Sequence, residues 1–188
     1  MTSERKGLAM SKRRVHYVLS THWDREWHQP FEHFRYRLVR LLDRVLAGLA
    51  DGRLRGPFTA DGQAIILEDY LEVRPERRAL VSLLAREGRL VIGPWYVLPD
   101  EFLVSGESLI RNLERGRQVA RQFGGKPSDA GFVCDLFGHN SQMPQIMAGF
   151  GIRGGFLWRG LNHVETRHVR WRGADGTALP CYRFGHRG

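Results

Sequence analysis

The segment 21–27, Thr-His-Trp-Asp-Arg-Glu-Trp, contains the residues best suited to chemistry in this chain. It follows an apolar run over residues 15–19, which predicts a buried strand. Because alternate side chains of an extended chain point the same way, His22 and Asp24 are expected to project together from the strand end. Imidazole and carboxylate groups both bind divalent metal ions. A structural histidine is the alternative, since a two-residue motif has low specificity. Trp27 offers an aromatic plane suited to the apolar face of a sugar.

A second polar cluster begins at Asp135, directly after an apolar segment over residues 131–134 that predicts another strand. The segment 135–139 reads Asp-Leu-Phe-Gly-His. One interpretation makes Asp135 the cap of the following helix. Ser141 is better placed for that role, so we expect Asp135 to be free for other chemistry.

The elements that must position these residues alternate along the chain. Apolar segments predict strands over residues 15–20, 57–60, 90–92, 131–134 and 155–158, with a sixth beginning near 169–171 or 179–182. Helical periodicity predicts helices over 31–49 and 65–73, one starting at Pro75, one at Ser105 or Gly106, and one capped by Ser141. This alternation indicates an α/β fold with parallel strands and flanking helices, and we favour a barrel over an open sheet.

In such a barrel, ligands bind at the loops that follow the strands. These loops contribute Asp61, Trp95 and Arg159 to the rim that already holds His22 and Asp135. Core packing is the alternative for the two tryptophans, and pairing with a rim carboxylate is the alternative for Arg159. No glycine-rich phosphate loop follows any predicted strand, which argues against a nucleotide site.

Composition excludes several classes of protein. The net charge of +9 comes mainly from arginines spread along the whole chain, so we expect no nucleic-acid partner. No apolar stretch is long enough for a membrane span, and the N-terminus lacks the apolar core of a signal peptide. The two cysteines are too few for a disulfide framework. We therefore expect a cytoplasmic protein that does not bind membranes.

Five spaced segments together resemble glycoside hydrolase family 38, the class II α-mannosidases, and their wording is closest to the bacterial branch that includes mannosylglycerate hydrolases. The matching segments are 20–27, 61–63 with 68–72, 93–101, 135–139 and 157–160. They occur in the family's order and extend over most of the chain.

The resemblance implies a seven-stranded β/α barrel, of which this chain is an incomplete N-terminal portion, and a zinc-dependent retaining α-mannosidase activity. It implies that His22, Asp24 and Asp135 bind one zinc ion and that Asp135 is also the nucleophile. Trp27 then forms the floor under the mannose ring, and Arg159 contacts the nucleophile or the substrate. We add Asp61 and Trp95 to the expected substrate-binding residues. The substrate would be a mannose-containing oligosaccharide or an α-mannoside.

The chain also departs from the family. The family's acid/base aspartate and its fourth zinc ligand, a histidine, lie beyond position 188. Four histidines could in principle replace the missing ligand, but the residues around them do not match the family's ligand segment. They are His139, His163, His168 and His186. We therefore expect a flexible lead-in over residues 1–13, a partial barrel domain over 14–188 that is truncated at Gly188, and no activity of this chain alone.

Two other functions stay open. The chain could be a catalytically dead metal- or sugar-binding module, since it has candidate ligands but no acid/base. It could also be a deacetylase-like, metal-dependent carbohydrate hydrolase, whose reaction needs a metal-activated water. The residues themselves would accept zinc, manganese or cobalt, and they leave linkage specificity and oligomeric state open.

Overall fold

The computed structural model describes residues 15–161 and 164–185, so the expected lead-in over 1–13 lies outside the described residues, as do His163 and His186. The strands are β1 (Leu19–Ser20), β2 (Phe58–Thr59), β3 (Leu90–Val91), β4 (Ala130–Val133), β5 (Gly154–Leu157), β6 (His168–Arg172) and β7 (Ala178–Arg183). The helices are α1 (Phe31–Ala50), α2 (Ile65–Val73), α3 (Arg78–Arg86), α4 (Gly106–Gln122) and α5 (Met143–Gly149), and a short 3-10 turn (Pro75–Arg77) precedes α3.

The helices follow the apolar periodicity of the sequence. On α1, the buried residues Phe34, Leu38, Leu42 and Leu49 are spaced by one or two helical turns and form one apolar stripe. The helix ends before Gly52, whose φ of 79° suits a glycine after a helix C-terminus. The helix predicted over 65–73 is confirmed.

The strands form two sheets among the described residues. The first contains β1, β2 and β3 in that order, all parallel. The second has the order β4-β5-β7-β6, with β4, β5 and β7 parallel and β6 antiparallel to β7. The mixed α/β architecture with parallel strands is therefore confirmed, and β6 is the exception to the all-parallel expectation. The described strands do not join into one barrel.

Two local predictions were wrong. The first strand was expected over residues 15–20, but only Leu19–Ser20 is extended and paired. Val15 and Tyr17 are exposed, since β1 has a strand neighbour on one side only, β2, among the described residues. Ser141 does not cap α5 either, because the helix begins at Met143 and the side chain of Asn140 accepts the hydrogen bond from the Gln142 amide at 2.9 Å.

Each sheet has its own apolar core. The first core joins α1, α2, α3 and the C-terminal half of α4 to the first sheet, and the second joins the N-terminal half of α4 and α5 to the second sheet. We call the boundary between the two sheets the seam. Hydrogen bonds cross it at several places; for example, the Ser128 amide donates to the Ile92 carbonyl at 3.1 Å, and the Trp95 indole donates to the Phe132 carbonyl at 3.0 Å.

Helix α4 fixes the loop after β3. Its N-cap, Ser105, accepts a hydrogen bond from the Ser108 amide at 3.1 Å, which confirms the predicted start. Gly116 lets the helix approach closely, because a Cβ there would lie inside van der Waals distance of the Trp95 backbone. At this separation the Asn112 side chain binds the backbone of Val97, accepting at 3.1 Å and donating at 2.7 Å.

Among the helices that the structure describes, none combines the length and apolar character that a bilayer span would need.

Candidate active site

Three ligand-type side chains converge where β1 and β4 end. The His22 Nε2 atom lies 3.3 Å from Asp24 Oδ1 and 3.0 Å from Asp135 Oδ2. One ligand atom from each of these residues lies within 4.8 Å of the other two. Within the described part of the chain, the sequence-predicted metal residues are thus brought together. One nitrogen and two oxygen donors at this spacing suit a divalent cation.

The second ring nitrogen of His22 faces the carboxylate of Asp61. His22 Nδ1 lies 3.2 Å from Asp61 Oδ2, and the Asp61 side chain is 2% exposed. This hydrogen bond is the largest cause of a raised His22 pKa, to about 9, and the charges of Asp24 and Asp135 add to it against the opposing effect of burial. A carboxylate on the far nitrogen is the arrangement that orients a metal-binding histidine, and it leaves Nε2 directed at the other two ligands.

Asp61 also ties the loops of the first sheet together. Its Oδ2 accepts hydrogen bonds from the Trp23 amide at 2.8 Å and from Gln63 Nε2 at 3.0 Å. The Gln63 amide continues the network, since Nε2 donates to the Trp23 carbonyl at 2.9 Å and Oε1 accepts from the Leu98 amide at 3.1 Å. Burial raises the pKa of the Asp61 carboxyl, and the bonds from His22, Trp23 and Gln63 oppose that rise.

Asp135 emerges from β4 and pairs with Arg159, which follows β5. The guanidinium Nε of Arg159 contacts Asp135 Oδ1, while Asp135 Oδ2 faces His22. The Arg159 guanidinium also lies over the Trp158 ring at 4.3 Å from its centroid. The two oxygens of Asp135 thus have separate neighbours, a cation on one side and the metal-type cluster on the other.

A cavity of about 530 Å³, within the size range of small-molecule sites, is lined by the residues of this cluster. They are His22, Asp24, Asp135 and Arg159. Trp27 also lines it and is 75% exposed, so its ring face is available to a ligand. Glu26, Asp100 and Phe137 are among the other residues that line it.

Two residues expected to contact substrate do not lie on this wall. Trp95 is fully buried in the second core, with its indole bonded to the Phe132 carbonyl. Asp61 lies beneath His22, where it has 1% exposure. The core-packing alternative therefore describes Trp95, and orientation of His22 describes Asp61 better than direct substrate contact does.

The sequence interpretation missed the partner of Arg25. Its guanidinium donates to both carboxylate oxygens of Asp69 on α2, at 2.8 and 3.1 Å, which holds the segment 21–27 against that helix. The sequence did indicate that Asp69 needs a partner, because it lies three residues from Ile66 on the buried face of a predicted helix. A carboxylate at such a position needs a cationic partner.

Comparison with known proteins identifies the family. The family model described as the glycosyl hydrolases family 38 N-terminal domain matches residues 12–186. The chain belongs to this family. The sequence-based resemblance is thereby confirmed.

Proteins similar to this chain come from bacteria and eukaryotes. A Halalkalibacterium halodurans protein named "Putative mannosylglycerate hydrolase" is 45% identical over 150 residues, which are 80% of this chain and 17% of that protein. Human alpha-mannosidase 2C1 is 30% identical over 90% of this chain and 16% of that protein. The crystal structure of an alpha-mannosidase from Enterococcus faecalis V583 matches with a TM-score of 0.84 and 36% identity, covering 89% of this chain and 19% of that one. The chain thus spans less than a fifth of the length of these relatives.

Proposed function

We propose that this chain provides the nucleophile and three metal ligands of a zinc-dependent retaining α-mannosidase that acts on mannose-containing oligosaccharides or α-mannosides. The supporting observation is the convergence of His22, Asp24 and Asp135 on the wall of the cavity that Trp27 also lines. Membership of family 38 and the alpha-mannosidase names of its relatives support the same function.

The donor set fits a zinc ion. His22 directs Nε2 at the carboxylates of Asp24 and Asp135, while Asp61 holds its other ring nitrogen. When bound, zinc would coordinate sugar hydroxyls and stabilise charge, acting as a template. The three residues leave room for a further ligand, which we propose comes from outside these 188 residues.

The residues of this chain would divide the work as follows. The exposed face of Trp27 supports the apolar face of the mannose ring. A carboxylate oxygen of Asp135 attacks the anomeric carbon, the glycosidic bond breaks, and the leaving oxygen takes up a proton. Arg159 stabilises the anionic form of Asp135 before attack and restricts its rotation. We propose that the proton donor is a carboxyl group outside this chain, about 5 Å from the nucleophile as in retaining glycosidases generally.

An activated donor tests the nucleophile without the missing acid. Fluoride needs no protonation to leave, so 5-fluoro-mannosyl fluoride with the zinc-loaded 188-residue chain should form a glycosyl ester on Asp135. Mass spectrometry of the digested protein should show one sugar on the peptide that contains Asp135. An ordinary aryl α-mannoside should show no turnover, because neither leaving-group protonation nor water activation is available.

Two variants make this test specific. Asp135→Asn should give no ester, whereas Asp51→Asn, at the exposed end of α1, should react like the parent chain. A sugar attached to a different carboxylate, or no ester on a chain that binds zinc, would refute the proposed nucleophile. Zinc and mannoside binding without an ester would favour the non-catalytic module, and release of acetate from acetylated sugars would favour a deacetylase.

We further propose that residues 14–188 form part of a family 38 β/α barrel, with the remaining barrel strands supplied from outside this chain. The cytoplasmic location expected from the sequence stays a prediction, as does the expected absence of nucleic-acid and membrane partners.

A further inference from the structure

Three loops meet on the imidazole ring of His139. Its Nδ1 lies 2.9 Å from Glu101 Oε1, in the loop after β3, and its Nε2 lies 3.0 Å from the carbonyl oxygen of Arg159, in the loop after β5. The side chains of His139 and Glu101 are only 4% and 0% exposed. Neither side chain lines the cavity, so direct contact with substrate does not account for this buried pair.

The donor and acceptor roles at Nε2 follow from its partner. A carbonyl oxygen can only accept, so Nε2 carries a hydrogen and donates it to Arg159. Nδ1 then shares one proton with the Glu101 carboxyl. The other Glu101 oxygen accepts from the Asn140 amide at 2.7 Å, so both oxygens of this buried group have partners.

Close neighbours on two sides restrict the imidazole ring of His139. Gly160 has a φ of 77°, and a Cβ there would lie 3.0 Å from His139 Cδ2. On another side, the Trp171 ring makes an edge contact with a centroid separation of 5.0 Å. The imidazole is therefore a fixed donor to the Arg159 carbonyl.

The backbone of Arg159 is held from both sides. Its amide donates to the Cys134 carbonyl at 3.1 Å, and its carbonyl accepts from His139. The guanidinium of the same residue contacts Asp135. We propose that Glu101 and His139 are positioning residues, which act through the backbone of Arg159 to keep its guanidinium on Asp135. The link to catalysis rests on the proposed function, whereas the link from His139 to Arg159 does not.

Arginine Nε–H exchange tests the structural link without metal or substrate. In the ¹⁵N-arginine-labelled chain, the Arg159 signal is assigned by its loss in Arg159→Lys. His139→Leu should speed exchange of this Nε–H by about ten-fold or more, since the group then spends less time bound to the Asp135 carboxylate. His139→Gln places an amide near the Nε2 position and should stay within about three-fold of the parent, whereas His139→Asn cannot reach the carbonyl and should resemble Leu.

Zinc affinity tests the consequence for the metal cluster. By calorimetry with zinc alone, His139→Leu should raise the Kd for zinc by about ten-fold, as is usual when residues behind metal ligands are lost. The change should have the same direction as that of Arg159→Ala. If His139 acts through Arg159, the two effects should not add in the double variant, whereas a general loss of folding would add. His33→Leu, on the exposed face of α1, is the matched control.

The two proposals fail differently. A parent chain that does not bind zinc contradicts the proposed function but leaves the exchange experiment valid. Unchanged Arg159 exchange in a folded His139→Leu variant overturns the positioning role, and so does equal behaviour of the Gln and Asn variants. Should the Leu variant not fold, the comparison of Gln with Asn decides the question.

Discussion

Replacing Asp61 by asparagine tests whether His22 is held by a carboxylate behind it. Asp61 accepts from the Trp23 amide, from Gln63 and from His22 Nδ1, at 2.8, 3.0 and 3.2 Å. All three donors reach the same oxygen, Oδ2, so asparagine can keep an oxygen there, but that oxygen no longer carries the carboxylate charge that holds the imidazole. The backbone should tolerate the change, because Asp61 has a φ of 51° and asparagine adopts this left-handed conformation as readily as aspartate.

The expected effect is larger on zinc binding than on folding. Loss of a group that orients a metal ligand typically costs about 10- to 100-fold in affinity, which corresponds to about 1.4–2.7 kcal/mol. A hydrogen bond to a charged group is worth about 1.5–3 kcal/mol to stability. Burial raises the Asp61 pKa, however, so a neutral residue avoids part of the cost of a buried charge. We therefore expect a loss of only about 1 kcal/mol in the unfolding free energy without metal.

Zinc titration calorimetry, corrected in each variant for the proton that zinc displaces from His22, and urea unfolding of the chelated protein measure the two quantities separately. Asp51→Asn serves as the exposed control and should leave both unchanged. An Asp61→Asn chain with parental zinc affinity would show that the Asp61 contact does not orient His22. A large loss of stability with unchanged affinity would assign Asp61 to folding alone.

Three further predictions concern packing and proton linkage. Gly116→Ala should lower the unfolding free energy by about 2 kcal/mol or more, because its Cβ meets the Trp95 backbone, whereas Gly149→Ala, with open space around it, should be neutral or stabilising in urea unfolding. Trp95→Phe removes the hydrogen bond from the indole to the Phe132 carbonyl and should cost about 1–3 kcal/mol of unfolding free energy. Zinc affinity should stay within about two-fold of the parent value. A selective loss of mannoside binding would instead show that Trp95 contacts the substrate. His22 has a pKa near 9 without metal, so it is protonated at pH 7; zinc binding should release about one proton, falling towards zero above pH 9, as measured by calorimetry in buffers of different ionisation enthalpy.

The cluster of His22, Asp24 and Asp135 could be predicted because residue type and position both indicated it. His22 and Asp135 are polar residues placed directly after apolar segments, and parallel strands bring such positions to one edge. The family resemblance then gave each residue a role. The reasoning for His22 and Asp24 nevertheless used an extended chain, whereas β1 ends at Ser20 and both residues lie in the following loop. Convergence there comes from Asp61 and Gln63, whose hydrogen bonds shape that loop.

What could not be predicted depends on contacts between distant segments. The burial of Trp95 is set by Phe132, which is 37 positions away, and by the close approach of Gly116. The Glu101–His139 pair similarly spans 38 positions. Sequence patterns report the period of one element, whereas these contacts depend on how loops from different elements pack. The antiparallel direction of β6, by contrast, comes from a local contact, its hairpin with β7.

A metal ion in this cluster would lie across the seam between the two sheets. His22 and Asp24 lie in the loop after β1 of the first sheet, whereas Asp135 follows β4 of the second, so an ion held by all three would link the two sheets. Its binding free energy would then also resist separation of the two cores. We expect the melting temperature of the zinc-bound chain to exceed that of the chelated chain, as measured by scanning calorimetry.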